Sequence, residues 1–158
     1  MAEITLAKAL KIKNRLAGRL AKAQADIQAF NSVPAGQADQ VNVPALMQAR
    51  EELVGALVGL KAAINEANRE AQRDIYDLAE KKATAQFLAG VSTRHGPQPP
   101  VYPSTVEVNY VAALKKADVD GLVAGLEKEI DQLQDRLDQF NHDRRIEVDG
   151  LLDGGQRR

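Results

Sequence analysis

The sequence predicts an all-α protein: a long antiparallel helical hairpin or bundle with coiled-coil-like packing and one or two very short β segments, assembling as a homo-oligomer. Three observations carry that expectation. Val119, Leu122, Leu126, Ile130, Leu133, Leu137 and Phe140 follow one another at steps of 3, 4, 4, 3, 4 and 3, which is one apolar stripe along a long helix. Leu46, Leu53, Leu57, Leu60 and Ile64 come close to a second heptad seam. Aromatic content is only 4% and Trp is absent, so any core rests on Leu, Ile, Val and Ala, and Ala and Leu are strong helix formers. A striped helix cannot bury its stripe alone. It needs partner helices from the same chain, from another copy, or both.

The elements follow in order. A chain of 158 residues is most simply one domain, here spanning 1–148, with a loose tail over 149–158 (DGLLDGGQRR). Helix 1 is expected over about 5–30. Thr5 is its N-cap, and Leu6, Leu10, Leu16, Leu20, Ile27 and Phe30 mark its apolar side. Residues 31–42 (NSVPAGQADQVN) read as a loop. Helix 2 is expected over about 44–70, with Pro44 in its first turn, where a missing N–H costs nothing. Helices 1 and 2 should pair as an antiparallel hairpin.

Helix 3 is expected over about 75–91 with Asp74 as its N-cap, either continuous with helix 2 or set off by a kink near Gln72. The stretch 93–104 (TRHGPQPPVYPS) holds four prolines and is read as a Pro-rich loop. Val106, Val108 and Tyr110 then alternate with Glu107 and Asn109, a short strand signal. Helix 4 carries the heptad seam over about 119–142, capped by Asp118. Ile146 and Val148 alternate again after it. These two extended segments could pair with each other or with another subunit.

Charge is unevenly placed. Residues 1–30 hold six Lys/Arg against Glu3 and Asp26, a net of +4, and Lys8, Lys11, Arg15, Arg19 and Lys22 form a basic stripe. Residues 118–138 hold seven Asp/Glu against Lys128 and Arg136, a net of -5. Helices of opposite sign fit side by side, which favours self-association. Nucleic acid is not the expected partner of the basic stripe, because interleaved aromatics are missing and an acidic helix is at hand.

Several chemistries are set aside. The absence of Cys removes disulfides, thiolate nucleophiles and cysteine-ligated metals. No segment approaches the roughly 18 apolar residues of a membrane span, so no membrane partner is expected. The N-terminus lacks the regions of a signal peptide. The expected location is the cytoplasm of a bacterial or phage-infected bacterial cell. Neither His95 nor His142 sits in an HExxH pattern or beside a GxSxG nucleophile, and no phosphate-binding glycine loop occurs, so no enzyme activity, metal or cofactor is expected.

One polar set admits a functional reading. Asn65, Asn68, Arg69 and Arg73 follow the last apolar residues of helix 2. Arg94, His95 and Tyr102 lie in the Pro-rich loop. Asn141, His142, Arg144 and Arg145 follow Phe140. Converging at element ends, they would offer guanidinium forks for phosphate, amides for base or ribose edges, and rings for stacking. Ile64 and Asn68 share a seam, which would turn Asn68 inward. The alternative is that the asparagines cap helices or set register, and that the arginines pair with nearby acids such as Glu66, Glu70, Asp74 and Asp143.

The segments LAKALKIKNRLAGRLAKAQADI, INEAN, DIYDLAEKKATAQFL and VEVNYVAALKKADVDGLVAGLEKEIDQLQDRLDQFN, in this order and spacing, resemble the septicolysin-like family of small helical bacterial proteins. The resemblance covers about residues 5–148. It implies an all-α hairpin protomer that assembles with itself, and it carries over Asn65, Asn68 and Asn141. The family label suggests a toxin, but this chain has no amphipathic β-hairpin or membrane-length segment for a pore. His142 stands where the family tends to have an aromatic residue, and the QPPVYP loop is also unusual. Both departures fall inside the polar set.

The expectation is therefore a non-enzymatic homo-oligomer that sequesters a small anionic ligand. In its concrete form this is a sponge, of the phage anti-defence type, for a nucleotide-derived immune signal. The alternative is a structural or adaptor oligomer with protein partners only.

Overall fold

The computed structural model describes residues 2–148. The tail expected over 149–158 lies outside them. The chain is mostly helical, with two short antiparallel strand pairs. In order, the elements are β1 (Ala2–Thr5), α1 (Leu6–Phe30), a 3-10 turn (Ala35–Gln37), α2 (Val43–Asn68), α3 (Gln72–Ala89), β2 (Gly96–Gln98), β3 (Val108–Tyr110), α4 (Lys116–Asp143) and β4 (Arg145–Val148). The single domain expected for 1–148 comprises two compact units: residues up to Glu70 with those from Asp138 onward, and Ala71–Leu137.

The first unit is built on the α1–α2 hairpin. Thr5 caps α1, its hydroxyl accepting the Lys8 N–H at 3.1 Å. Asn42 caps α2 by accepting the Ala45 N–H at 3.0 Å. Leu6, Ala9, Ile12 and Leu16 on one face of α1 meet Leu57, Leu60, Ile64 and Ala67 on α2. Leu6, Leu16 and Leu60 are the largest fully buried side chains. Burying each contributes about 1.5–3 kcal/mol. Small residues such as Ala9 and Ala67 on the facing surfaces let two helices approach closely.

β1 and β4 close this core. They pair antiparallel with Ile4 opposite Ile146 and Ala2 opposite Val148. Ile4, Ile146 and Val148 are buried, while Glu3 and Glu147 opposite each other are exposed. The ladder runs straight into the helices, because the Leu6 N–H donates to the Arg144 carbonyl at 2.8 Å.

The second unit holds α3, the β2–β3 pair and α4 up to Leu137. α3 and α4 run antiparallel, tied by Lys81 to Glu129 at 2.6 Å, Arg136 to Asp74 at 3.4 Å and Lys82 to Gln134 at 3.4 Å. Ala71, Leu78, Val119, Leu133 and Leu137 are buried. The heptad seam of α4 is unevenly covered. Val119, Leu133 and Leu137 are buried, Leu126, Ile130 and Phe140 are half-buried, and Leu122 is 49% exposed.

Several expectations need correction. The junction left open between α2 and α3 is a break: they are separate helices, interrupted at residues 69–71. α3 begins at Gln72, so Asp74 stands in its first turn, where an acid suits the helix dipole, and does not cap it. α4 begins at Lys116. Asp118 is its third residue, and its carboxylate accepts the Lys115 N–H at 2.9 Å, the acidic arm of a capping box. The two extended segments do not pair with each other. Val108–Tyr110 pairs with Gly96–Gln98, and Arg145–Val148 pairs with Ala2–Thr5. The Pro-rich loop thus contains a strand. A two-stranded ribbon is all edge, so Pro97 loses no obligatory ladder bond. Gly96 has φ +84°, a conformation that side-chain-bearing residues rarely adopt.

Candidate functional site

The eleven polar residues divide between the units. Seven lie in the first. Asn65, Asn68 and Arg69 end α2, Asn141 and His142 end α4, Arg144 links α4 to β4, and Arg145 opens β4 opposite Thr5. Arg73, Arg94, His95 and Tyr102 lie in the second unit.

In the first unit the ends of α2 and α4 are drawn together by Arg144. Its guanidinium meets the Glu70 carboxylate at 3.0 Å. Its N–H donates to the Phe140 carbonyl at 2.8 Å, and its own carbonyl accepts from Leu6. The backbone is therefore held on both sides, and the side chain is anchored by one acid. Its Nε is buried without a hydrogen-bond partner. Asn68 is half-buried, as is Asn141 on α4, whereas Asn65, His142 and Arg145 are exposed. Arg69 meets Glu66 of its own helix at 3.1 Å, with both side chains about 70% exposed (72% and 71%). A pair this open is worth at most about 1 kcal/mol. Two of the four acids considered for pairing, Glu66 and Glu70, thus hold cluster arginines. Asp74 instead takes Arg136, and Asp143 accepts from Gln139 at 2.7 Å.

In the second unit, Arg94 lies 5.8 Å from the centre of the Tyr110 ring, a cation–π distance that ties the segment before β2 to β3. His95 Nδ1 accepts the Ala112 N–H at 3.2 Å. Both contacts brace the short ribbon. Tyr102 is 95% exposed, and Arg73 is exposed near the start of α3.

Three of the surface depressions among the described residues are lined by none of the eleven residues. One lies between Leu88, Val91, Val119 and Val123, one beside Phe30, Val41, Pro44 and Met47, and one between Asp77, Lys81, Glu129 and Arg136. Among the described residues no group of three or more His, Asp or Glu could hold a metal ion. No helix among them is long and apolar enough to cross a membrane.

Two features escaped the sequence reading. Lys81 sits between Glu129 at 2.6 Å and Asp77 at 3.5 Å. Its pKa is raised, chiefly by the hydrogen bond to Glu129 and with help from both carboxylate charges, against the opposing effect of desolvation. The Asp77–Lys81 spacing of four was a legible signal for half of this. The other feature is apolar. Among the described residues thirteen large hydrophobic side chains are exposed, and seven of them fall between Val101 and Leu114.

No family model matches the chain, and neither a curated protein nor a solved structure matches it.

Proposed function

We propose that this chain is a non-enzymatic helical protein that associates with further copies of itself, the β2–β3 segment of each copy supplying apolar contact surface. The observation that carries this reading is the run of exposed side chains Val101, Tyr102, Val106, Val108, Tyr110, Val111 and Leu114. Apolar surface concentrated in one segment marks an interaction site far more often than scattered exposed residues do. A second copy is the fitting partner for three reasons. The same surface recurs on every copy and can meet itself across a two-fold axis. The ribbon offers unpaired strand edges. A net charge of -1 sets up little repulsion between copies. Leu122, Leu126 and Ile130 would complete the coiled-coil-like seam in the same assembly. The septicolysin-like resemblance points the same way.

The test is light scattering on the wild type and on a Val101→Ser, Val106→Ser, Val111→Ser variant. All three positions are exposed, so folding should survive. The reading requires an oligomer in the wild type and a clear fall in mass in the variant. Equal masses would sink it.

A second reading, favoured by the unpartnered Arg144 Nε and by half-buried Asn68 and Asn141 in the same unit, is capture of a small anion such as a nucleotide-derived signal, in the manner of a sponge. Calorimetry with cyclic and ADP-ribose-type nucleotides tests it. Binding should be lost in an Arg69→Ala, Arg144→Ala variant. No heat with the wild type, or unchanged affinity in the variant, would remove this reading and leave the first intact.

A further inference from the structure

We infer that the outer edge of β3 is a strand-addition site, and that its occupant is the same edge of a second copy, paired antiparallel across a two-fold axis. This rests on the self-association proposed above and adds the contact that orients it. The pairing register fixes which backbone groups of β3 are free. Gly96 stands opposite Tyr110, Pro97 opposite Asn109 and Gln98 opposite Val108. In an antiparallel pair, residues that exchange hydrogen bonds alternate with residues that do not. Pro97 has no N–H to give, so Pro97 and Asn109 are the non-bonded pair, and Val108 and Tyr110 turn their backbone groups to β2. The Ala112 N–H continues this pattern by donating to His95 Nδ1. By the same alternation Glu107, Asn109 and Val111 turn their backbone groups away from β2. All three residues are exposed, and the sheet ends at β3 on that side.

The two edges of the ribbon differ. On β2 the outward position is Pro97, with Pro99 and Pro100 following, so this edge lacks a donor where a further strand would need one. The β3 edge has neither a proline nor a basic residue to blunt it. From Ser104 to Leu114 the only charge is Glu107. Size, charge and symmetry then favour a second copy as the occupant. None of residues 94–114 is buried, a stretch of 21 residues, against the roughly 20–30 that each partner lends to a standard interface. One carboxylate per edge sets up little repulsion between copies. A closed pair of identical edges is antiparallel, because a parallel ladder needs its strands staggered by one residue and such a stagger does not close. Val106, Val108, Tyr110 and Ala112 share one face of the strand. Antiparallel pairing lays this face beside its copy. Val108 and Tyr110 then meet apolar residues whether the axis passes at Val108, Asn109 or Tyr110.

The experiment is amide hydrogen exchange of the full-length chain, read residue by residue by nuclear magnetic resonance at low and at high concentration. On oligomer formation the Asn109 and Val111 amides should slow by about tenfold or more, while Val108 and Tyr110, already bonded to β2, should not change. An Asn109→Pro variant removes one outward donor and no bond between β2 and β3. It should lose the oligomer in native mass spectrometry while Tyr110 stays protected. An oligomer in which Asn109 and Val111 exchange as fast as in the monomer overturns the inference and leaves the self-association standing. An Asn109→Pro chain that keeps the wild-type oligomer does the same. If the proline change also unprotects Tyr110, the ribbon itself has opened, and the wild-type exchange comparison decides. A wild type that stays monomeric at every concentration removes the self-association and this inference with it.

Discussion

Lys81 is the residue whose environment departs most from an ordinary surface position. Glu129 at 2.6 Å and Asp77 at 3.5 Å raise its pKa. A raised lysine pKa stabilises the fold at all pH values below the ordinary lysine range, and that contribution disappears as pH climbs through the folded-state value. Wild type and Lys81→Gln should therefore differ slightly in melting temperature at neutral pH. The difference should close only at strongly alkaline pH. A difference that closes near neutrality would assign the charge effect to another group. The caps belong to this scale too. Thr5 was legible because a β-hydroxyl precedes an apolar periodic run, and Asn42 sits one residue before the helix that Pro44 announces. Asp118 was legible as a cap but was misplaced by one turn. A carboxylate at the third helical position and one at the cap itself leave the same mark in a sequence.

Among elements, the four helices were legible from apolar spacing, since period 3.6 repeated over many residues is hard to produce otherwise. The break between α2 and α3 was legible only as one of two alternatives. Residues 69–71 (REA) contain neither Gly nor Pro, so the interruption is a tertiary choice overriding good helix propensity. β1 and β2 were missed for a different reason. Strands of four and three residues carry almost no periodicity, and the partner of β1 lies at the far end of the chain. The prolines around β2 pointed away from structure although a two-stranded ribbon tolerates them. Gly96 is where this ribbon is most vulnerable. At φ +84°, a Gly96→Ala change should destabilise the local conformation by about 1–2 kcal/mol. Hydrogen exchange should speed up at Tyr110 and nearby amides while the α1–α2 core stays protected. Unchanged exchange there would mean that Gly96 does not hold the ribbon's start.

For the whole molecule, the polar set read from the sequence as one cluster falls into two groups in separate compact units. Sequence spacing could not reveal this, because convergence of element ends depends on where helices break. Two of its arginines have carboxylate partners, as the alternative reading anticipated. The exposed apolar side chains between Val101 and Leu114 were invisible as such, since exposure is a property of packing and not of composition. They are what makes self-association the central claim. Sedimentation velocity of the full chain across a hundredfold range of concentration tests it most directly. The account predicts a species at least twice the 17.2 kDa chain mass that persists on dilution into the micromolar range. A single 17.2 kDa species at every concentration would contradict it.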